Sequence, residues 1–300
     1  MNEDFIDIST LFKGFLKRKF FIMFLVVAFS LIGVGYSLFL PNIYKSESIL
    51  ISSNAQGDSS FSEGLDSFAS LAGINLNSGD QSSQRKLLIA NETIRSKKFF
   101  NIFATNHNLL PHIFAGVGYD DLTGKVKFNK SIYNPEEMQW KIDIQNSKQY
   151  SLEEAYEIFW TRIANFRTVQ DGKILKLSIE YFSPSLAKEW NHLLIRDLNN
   201  YLREEERLVN ERYLDYYQKK LTENTVVDID NVITALISAR IQSLALIESE
   251  PEFVYMVIDP ALEPSSKDSP RRSIIVMFFC ILGFFIALGA VIIKDFFIKK

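Results

Sequence analysis

Two long apolar runs without a single charge constrain this 300-residue chain more than any other feature. The first, Phe20–Leu40, has 21 residues, and the second, Ile274–Ile293, has 20. A helix needs about 20 apolar residues to cross the hydrocarbon core of a bilayer, and helices of a soluble core rarely stay apolar on all sides for that length. The runs therefore predict two transmembrane helices. The first run is too long for the apolar region of a signal peptide, which predicts a retained anchor.

Basic residues beside the two runs predict their orientation. The outer flanks carry seven Lys or Arg and the inner flanks carry four. Because Lys and Arg are enriched on the cytoplasmic side, and long loops are exported largely regardless of charge, we expect both termini in the cytoplasm. The predicted segments are a cytoplasmic leader (1–19), a transmembrane helix (20–40), an exported domain (41–273), a second transmembrane helix (274–293) and a cytoplasmic tail (294–300).

The pattern between the runs predicts a mixed domain of strands and helices. Alternating apolar and polar residues predict a strand at Ile174–Phe182, and apolar residues three and four apart predict an amphipathic helix at Gln84–Asn106. Ser151 followed by Glu154 has the spacing of a capping box, which predicts a helix start. The Ser- and Gly-rich stretch Ser52–Ser83 is predicted to be a mobile loop with a short helix at 61–72. Further strands are predicted at Ile43–Ser52, Lys125–Ile132, Met138–Ile144 and Phe253–Ile258.

A stretch without Gly or Pro, from Ser185 to about Asn224, predicts one helix of about 60 Å. Its apolar stripe is narrow and its section Arg203–Arg212 is mostly charged, so we expect it to project and to pair with another helix or a second copy of itself. A second helix, Asn231–Glu250, is predicted to return after a break. The predicted fold class is an α+β domain with a long projecting helical hairpin, anchored by two transmembrane helices.

The sequence contains no recognisable catalytic motif, so we expect no catalytic site, no cofactor and no metal. There is no P-loop, and Gly116–Gly118 is predicted to lie in a loop without a phosphate-binding context. None of the three histidines has a carboxylate or Cys partner at metal-ligand spacing. The only cysteine, Cys280, lies inside the second apolar run, so the exported domain can form no internal disulfide. A net charge of −3 argues against a nucleic-acid-binding surface.

The approach to the second apolar run carries a proline-rich motif, Pro260–Pro264 followed by Ser269–Arg272. It resembles the motif of chain-length determinant proteins, the Wzz-type polysaccharide co-polymerases. The first two prolines are one residue further apart than is usual in that family, and Ala287 stands where a second glycine is common. Prolines favour a stiff extended connector, and a small-xxx-small pair allows helices to approach closely in lipid. The residues assigned to the family motif are Pro260, Pro264, Ser269, Pro270, Arg271, Gly283 and Ala287.

The resemblance implies a function without catalysis. Such proteins form rings of identical subunits in the bacterial inner membrane, with a periplasmic domain that acts on the polymerase of a lipid-linked polysaccharide and sets the modal length of O-antigen. We therefore expect a homo-oligomer that contacts a glycan polymerase, and direct contact with the lipid-linked polysaccharide stays an open alternative. The residues expected at an oligomer or polymerase interface are Arg203, Glu205, Arg207, Glu211 and Arg212.

Other functions are compatible with parts of the same sequence pattern. Enterobacterial common antigen or a secreted exopolysaccharide could replace O-antigen as the polymer. A periplasmic sensor shares the two-span topology, but a leader of 19 residues and a tail of seven are too short for a cytoplasmic output module. The tail also holds no nucleotide motif and no tyrosine, which argues against a fused tyrosine kinase.

Overall fold

The computed structural model describes residues 18–53, 79–143, 147–169, 174–223, 227–249 and 252–296. The chain forms two compact units. We call Met1–Ile43 with Ser266–Lys300 the terminal helix pair, and Tyr44–Ser265 the sheet domain. The predicted helix at 61–72 and most of the predicted leader and tail lie outside the described residues.

The elements follow in chain order. They are α1 (Lys19–Phe39), β1 (Tyr44–Ser52), α2 (Gly79–Ile94), α3 (Lys97–Asn106), α4 (Leu109–Ala115), β2 (Gly116–Asp120), β3 (Lys125–Phe128), β4 (Tyr133–Asn134), β5 (Gln139–Trp140), α5 (Leu152–Ile158), β6 (Ala164–Val169), β7 (Ile174–Tyr181), α6 (Pro184–Glu223), α7 (Val227–Ser249), β8 (Tyr255–Asp259) and α8 (Arg272–Phe296).

In the terminal helix pair, α1 and α8 pack antiparallel through small residues. A Cβ added to Gly33 would lie 2.8 Å from the Cβ of Phe279, and one added to Gly283 would lie 2.7 Å from the Cβ of Phe29. Each glycine therefore receives a phenylalanine from the other helix. Ala287 is fully buried at the same seam.

The core of the sheet domain is a four-stranded antiparallel sheet with the order β6-β7-β1-β8. On one face of β1, Ser46, Ser48 and Leu50 are buried under α6, and their partners on β7 are Ile179, Leu177 and Leu175. The opposite face presents polar side chains, such as Lys45 across from Glu180. The strands β1, β7 and β8 lie within two residues of their predicted limits.

Helix α5 begins where the capping box predicts. The Oγ of Ser151 accepts a hydrogen bond from the backbone N–H of Glu154 at 3.2 Å. The helix Gln84–Asn106, by contrast, was predicted as one element and is two. Ser96 caps α3 by accepting from the N–H of Phe99 at 3.1 Å, and α2 already begins at Gly79, inside the predicted loop.

Some predicted strands and loops were wrong, because strand pairing or a backbone turn decides these segments. Gly116–Gly118 is not a loop, because β2 pairs antiparallel with β3. Of the predicted strand Met138–Ile144, the described residues form only the two-residue strand β5. Met138 has a positive φ of 52°, so it cannot extend the strand at its start. Helix α4 and strand β6 were not predicted.

The first half of α6 is buried, contrary to the prediction of a helix too polar to lie in the domain. Trp190, Leu194 and Leu198 pack on the sheet, and Asn191 is fully buried among them. The Asn191 side chain donates to the carbonyls of Ser46 and Leu177, each at 3.1 Å. An amide side chain counts as polar in a sequence pattern even when it is buried and bonded to the backbone. The buried face of α6 is therefore wider than its apolar stripe.

His112 of α4 lies in an aromatic cluster. Its ring centroid lies 5.2 Å from that of Phe128 and 5.5 Å from that of Trp190. Its carbonyl accepts a hydrogen bond from the Tyr181 hydroxyl at 3.0 Å. Burial disfavours the charged imidazolium and lowers the pKa of His112 to about 4.

This depressed pKa predicts a stability that depends on pH. Because the unfolded chain protonates His112 near pH 6.5 and the folded chain only near pH 4, the free energy of unfolding falls as pH drops through that window. We expect His112→Gln to reduce the loss of unfolding free energy between pH 7 and pH 4.5 by about 2 kcal/mol. Urea unfolding at both pH values measures this difference. The matched control is His192→Gln, at an exposed histidine of α6; identical pH slopes in the two variants would contradict the prediction.

Candidate functional site

The predicted interface residues lie in the middle of α6 and form two stripes. Arg203, Arg207 and Glu211 are four residues apart and share one side of the helix. Glu205 and Arg212 are seven residues apart and share another side, roughly opposite the first. The structure therefore does not bring the five residues together into one patch.

The first stripe is paired within the helix. The Arg207 guanidinium donates from Nε to Glu204 Oε2 at 2.8 Å and also bonds to Glu211. The hydrogen bond between Arg207 and Glu204 raises the pKa of the arginine and lowers that of the glutamate. Charges on this stripe are balanced locally, one turn apart, and they remain open to solvent and to a partner.

The second stripe faces α3. The Lys98 Nζ lies 3.2 Å from Glu205 Oε1 and 5.3 Å from the centroid of the Tyr201 ring. The hydrogen bond from Lys98 lowers the pKa of Glu205. Tyr201 in turn packs edge-on against Phe99 at 5.7 Å. Glu205 thus ties α6 to α3 within the same chain.

Between α3 and α6 lies a groove of about 490 Å³. Inside it, the His107 Nε2 lies 2.6 Å from Asp197 Oδ2, and Arg196 bonds to the other oxygen of Asp197 at 3.0 Å. Sequence spacing did not reveal this pair, because His107 and Asp197 are 90 residues apart. Across the described parts of the chain, no three His, Cys, Asp or Glu side chains are grouped to hold a metal ion.

Helix α7 packs against the second half of α6 as a hairpin. The Arg240 Nη1 lies 3.1 Å from Asn210 Oδ1, and its guanidinium lies 4.6 Å from the centroid of the Tyr213 ring. The outer face of α7 leaves Val232 and Ile241 about half exposed. Among the residues that the structure describes, three helices (α1, α7 and α8) are long and apolar enough to cross a membrane, and α7 is the least apolar of them.

The proline-rich motif forms an extended connector between β8 and α8. In the sheet domain, the Ser46 hydroxyl donates to the carbonyl of Leu262 at 2.7 Å, between Pro260 and Pro264. In the terminal helix pair, Ile43 bridges to Ser269 with N···O distances of 2.9 and 3.3 Å. Arg271 is exposed just before α8 begins. The roles predicted for the motif residues stay predictions.

Comparison with known proteins adds an independent finding. Residues 4–105 match the family described as "Wzz: Chain length determinant protein". This range contains α1, β1 and α2 and nearly all of α3, and it excludes the proline-rich motif. No curated protein matches the chain.

Two solved structures are among the matches. A "full-length bacterial polysaccharide co-polymerase" is 11% identical, with 97% of each chain covered and a TM-score of 0.44. A fragment of WzzB, a polysaccharide co-polymerase from Salmonella Typhimurium, is 13% identical, with 76% of this chain and 100% of that chain covered and a TM-score of 0.30. The family match over residues 4–105, at the opposite end of the chain from the proline-rich motif, confirms the predicted resemblance to the Wzz-type chain length determinant family.

Proposed function

We propose that this chain regulates polysaccharide chain length, setting the modal length of O-antigen of lipopolysaccharide as an oligomeric scaffold on the glycan polymerase. The family match over residues 4–105 carries this proposal. Enterobacterial common antigen or a secreted exopolysaccharide is the second candidate polymer, since the matched family description names no polymer. A periplasmic sensor is the third candidate, supported only by topology.

The proposal includes a two-pass arrangement in the inner membrane, with α1 and α8 as spans, both termini cytoplasmic and the sheet domain periplasmic. The close packing of α1 on α8 at Gly33 and Gly283 supports it, because small residues allow helices to approach within a bilayer. Arg240 supports α7 as the return helix of a hairpin instead of a third span. Its charge is held by Asn210 and Tyr213 of α6, and a charge at mid-helix is costly in lipid.

The hairpin of α6 and α7 is the proposed interface between identical subunits of a ring. Its outer surface combines the charges of the first stripe (Arg203, Arg207 and Glu211) with the half-exposed Val232 and Ile241 of α7. Repeated interfaces of one kind generate a closed ring when the rotation between subunits closes. A mixed surface of apolar side chains and locally balanced charges suits such a contact better than a wholly charged one.

The gel pattern of surface polysaccharide tests the proposal. The gene is deleted, and then restored on a plasmid. We expect deletion to turn a clustered length distribution of O-antigen into an unclustered one, and restoration to recover the cluster. An unchanged O-antigen pattern, with a change in another glycan, would move the proposal to the second candidate polymer. No change in any glycan would contradict chain-length control.

Charge reversal on α6 should alter the modal length without stopping polymerisation. Arg207→Glu would place three carboxylates within about two turns, beside Glu204 and Glu211, and so change the charge of the proposed subunit contact. Glu205→Lys would set two cations against each other at Lys98 and shift α6 relative to α3. We expect both variants to move the cluster of polymer lengths on the gel.

A matched control is Lys220→Glu, which breaks an exposed pair with Glu223 near the end of α6. We expect a smaller shift from this variant. The prediction fails if the Arg207 or Glu205 variant makes no polymer at all, or makes polymer of unchanged length at normal protein levels.

A further inference from the structure

A second concave site lies at the edge of the sheet, away from the long hairpin. It is a cleft of about 530 Å³ between the end of α5, the strand β6 and the end of α2. Its floor includes a π-helical turn, Phe159–Ile163. Such turns are rare and occur frequently at functional sites, because they re-aim side chains that a regular helix would place elsewhere. The side chains that carry the argument are Arg95, Tyr156, Trp160, Arg162, Asn165 and Glu180.

Trp160 contributes an aromatic wall with an unsatisfied donor. Its ring packs edge-on against Phe159, with 5.3 Å between ring centroids. Its indole N–H is buried and has no acceptor among the residues that the structure describes. A buried donor without an acceptor destabilises the folded chain, because its lost hydrogen bond to water is not replaced. A bound molecule that brings an oxygen to this nitrogen would recover that cost.

Arg95 is held in place by contacts that leave its charge unneutralised. Its Nη2 donates to the carbonyl of Phe166 at 2.9 Å, and its guanidinium lies 4.9 Å from the centroid of the Phe166 ring. The Tyr156 hydroxyl donates to the carbonyl of Arg95 at 2.7 Å. No ion pair to a carboxylate joins Arg95 within the described residues. A guanidinium positioned this way keeps further N–H groups for a carboxylate in its forked geometry.

The remaining lining groups add a second cation and hydrogen-bonding partners. Arg162 and Asn165 are exposed on the cleft side of β6 and the π-helical turn. The Glu180 carboxylate of β7 offers oxygens that accept hydrogen bonds, and the Asn165 amide offers both donors and an acceptor. An aromatic ring, two cations, one carboxylate and one amide around the cleft match a ring-shaped ligand with hydroxyls and a negative charge.

We propose that this cleft binds a saccharide segment that carries a carboxylate, of the uronic-acid type. The Trp160 ring packs against the C–H face of a sugar ring, Arg162 and Arg95 bind the carboxylate, and Asn165 and Glu180 bond to hydroxyls. The choice of a saccharide as the ligand rests on the proposed function, and the choice of an acidic one rests on the two arginines. Chain-length control would then include direct contact between the growing polymer and the sheet domain.

Binding of defined oligosaccharides to the purified full chain in detergent micelles tests this proposal. The acidic probe is a tetramer of galacturonic acid, and the neutral probe is maltotetraose. We expect the acidic probe to change tryptophan fluorescence with saturation and the neutral probe to bind at least about tenfold more weakly. Trp160→Phe should remove most of the fluorescence change, which assigns the signal among the three tryptophans.

Two arginine variants sharpen the test. Arg162→Gln should weaken binding of the acidic probe at least about tenfold, because one charge-assisted contact is lost. The matched control is Arg167→Gln, an exposed arginine further along β6 that does not line the cleft, and it should leave the affinity unchanged. Both positions are exposed, so neither change should affect folding.

Three results would overturn the site: no saturable response to the acidic probe, equal affinity for the neutral probe, or equal affinity in Arg162→Gln and the wild type. If the acidic probe fails to bind while gene deletion changes polymer length, the cleft is wrong and the proposed function stands. If the probe binds through Arg162 while deletion changes no glycan, the saccharide site stands and the proposed function is wrong.

Discussion

Replacing Asn199 with leucine should destabilise the sheet domain by about 3–5 kcal/mol, among the largest effects of any single substitution in this chain. The Asn199 Oδ1 accepts from the backbone N–H groups of Val254 at 3.0 Å and Tyr255 at 3.1 Å. Its Nδ2 donates to the carbonyl of Tyr255 at 2.8 Å. The asparagine is buried, so leucine, which has the same branched shape but is larger, would leave three backbone groups at the start of β8 without partners, each at a cost of about 1–3 kcal/mol.

Urea unfolding of the full chain in detergent measures this loss. Asn199→Asp keeps an acceptor for both N–H groups but removes the donor to Tyr255, so we expect a smaller loss than with leucine. The matched control is Asn200→Leu, at the exposed neighbouring position of α6. Equal unfolding midpoints for the Asn199 and Asn200 leucine variants would show that the buried amide does not hold β8 to α6.

Gly283→Leu should force α1 and α8 apart, with a loss of about 3 kcal/mol from the packed helix pair. A Cβ at this position would lie 2.7 Å from the Cβ of Phe29 and 3.4 Å from the Cα of Val26. Because Val26 contributes a backbone atom at this seam, a rotamer change cannot relieve the whole contact. If the terminal helix pair crosses the membrane as proposed, the same variant should also lower the amount of intact protein in the membrane.

Thermal unfolding in mild detergent tests the helix pair directly. Gly289→Leu is the matched control in the same helix, because a Cβ at Gly289 would meet no atom within 4 Å. Phe29→Gly should partly rescue Gly283→Leu, since it removes both the Cβ and the ring that meet the new side chain. Equal melting temperatures for the Gly283 and Gly289 variants, or no rescue by Phe29→Gly, would contradict close packing at this glycine.

Local pattern predicted the elements whose cause lies within a short stretch of chain. The lengths of α1 and α8 follow from apolar runs, and α6 follows from 40 residues whose interior lacks Gly and Pro. The cap of α5 follows from Ser151 and Glu154, which are three residues apart. In each case the residues that decide the structure are neighbours in sequence, so periodicity and capping chemistry are sufficient.

The candidate sites depended on contacts that sequence spacing does not contain. His107 and Asp197 are 90 residues apart, and Glu205 meets Lys98 across 107 positions. The sequence pattern suggested that the charged section of α6 forms one surface. At 3.6 residues per turn, however, Glu205 and Arg207 lie on different sides of the helix. The cleft at Trp160 has no local signature beyond an aromatic residue near an arginine.

Sequence by itself determined which segments are apolar, which are helical and which alternate as strands, because those properties arise from neighbouring side chains. Only the tertiary structure decided that Asn191 and Asn199 are core residues, because a buried amide looks polar until its backbone partners are known. It also decided that Gly116–Gly118 is a strand, since β2 exists only through its pairing with β3. Hydrogen bonds and strand pairing with residues distant in sequence give these polar or flexible residues their structural roles. A local sequence pattern does not identify those distant residues.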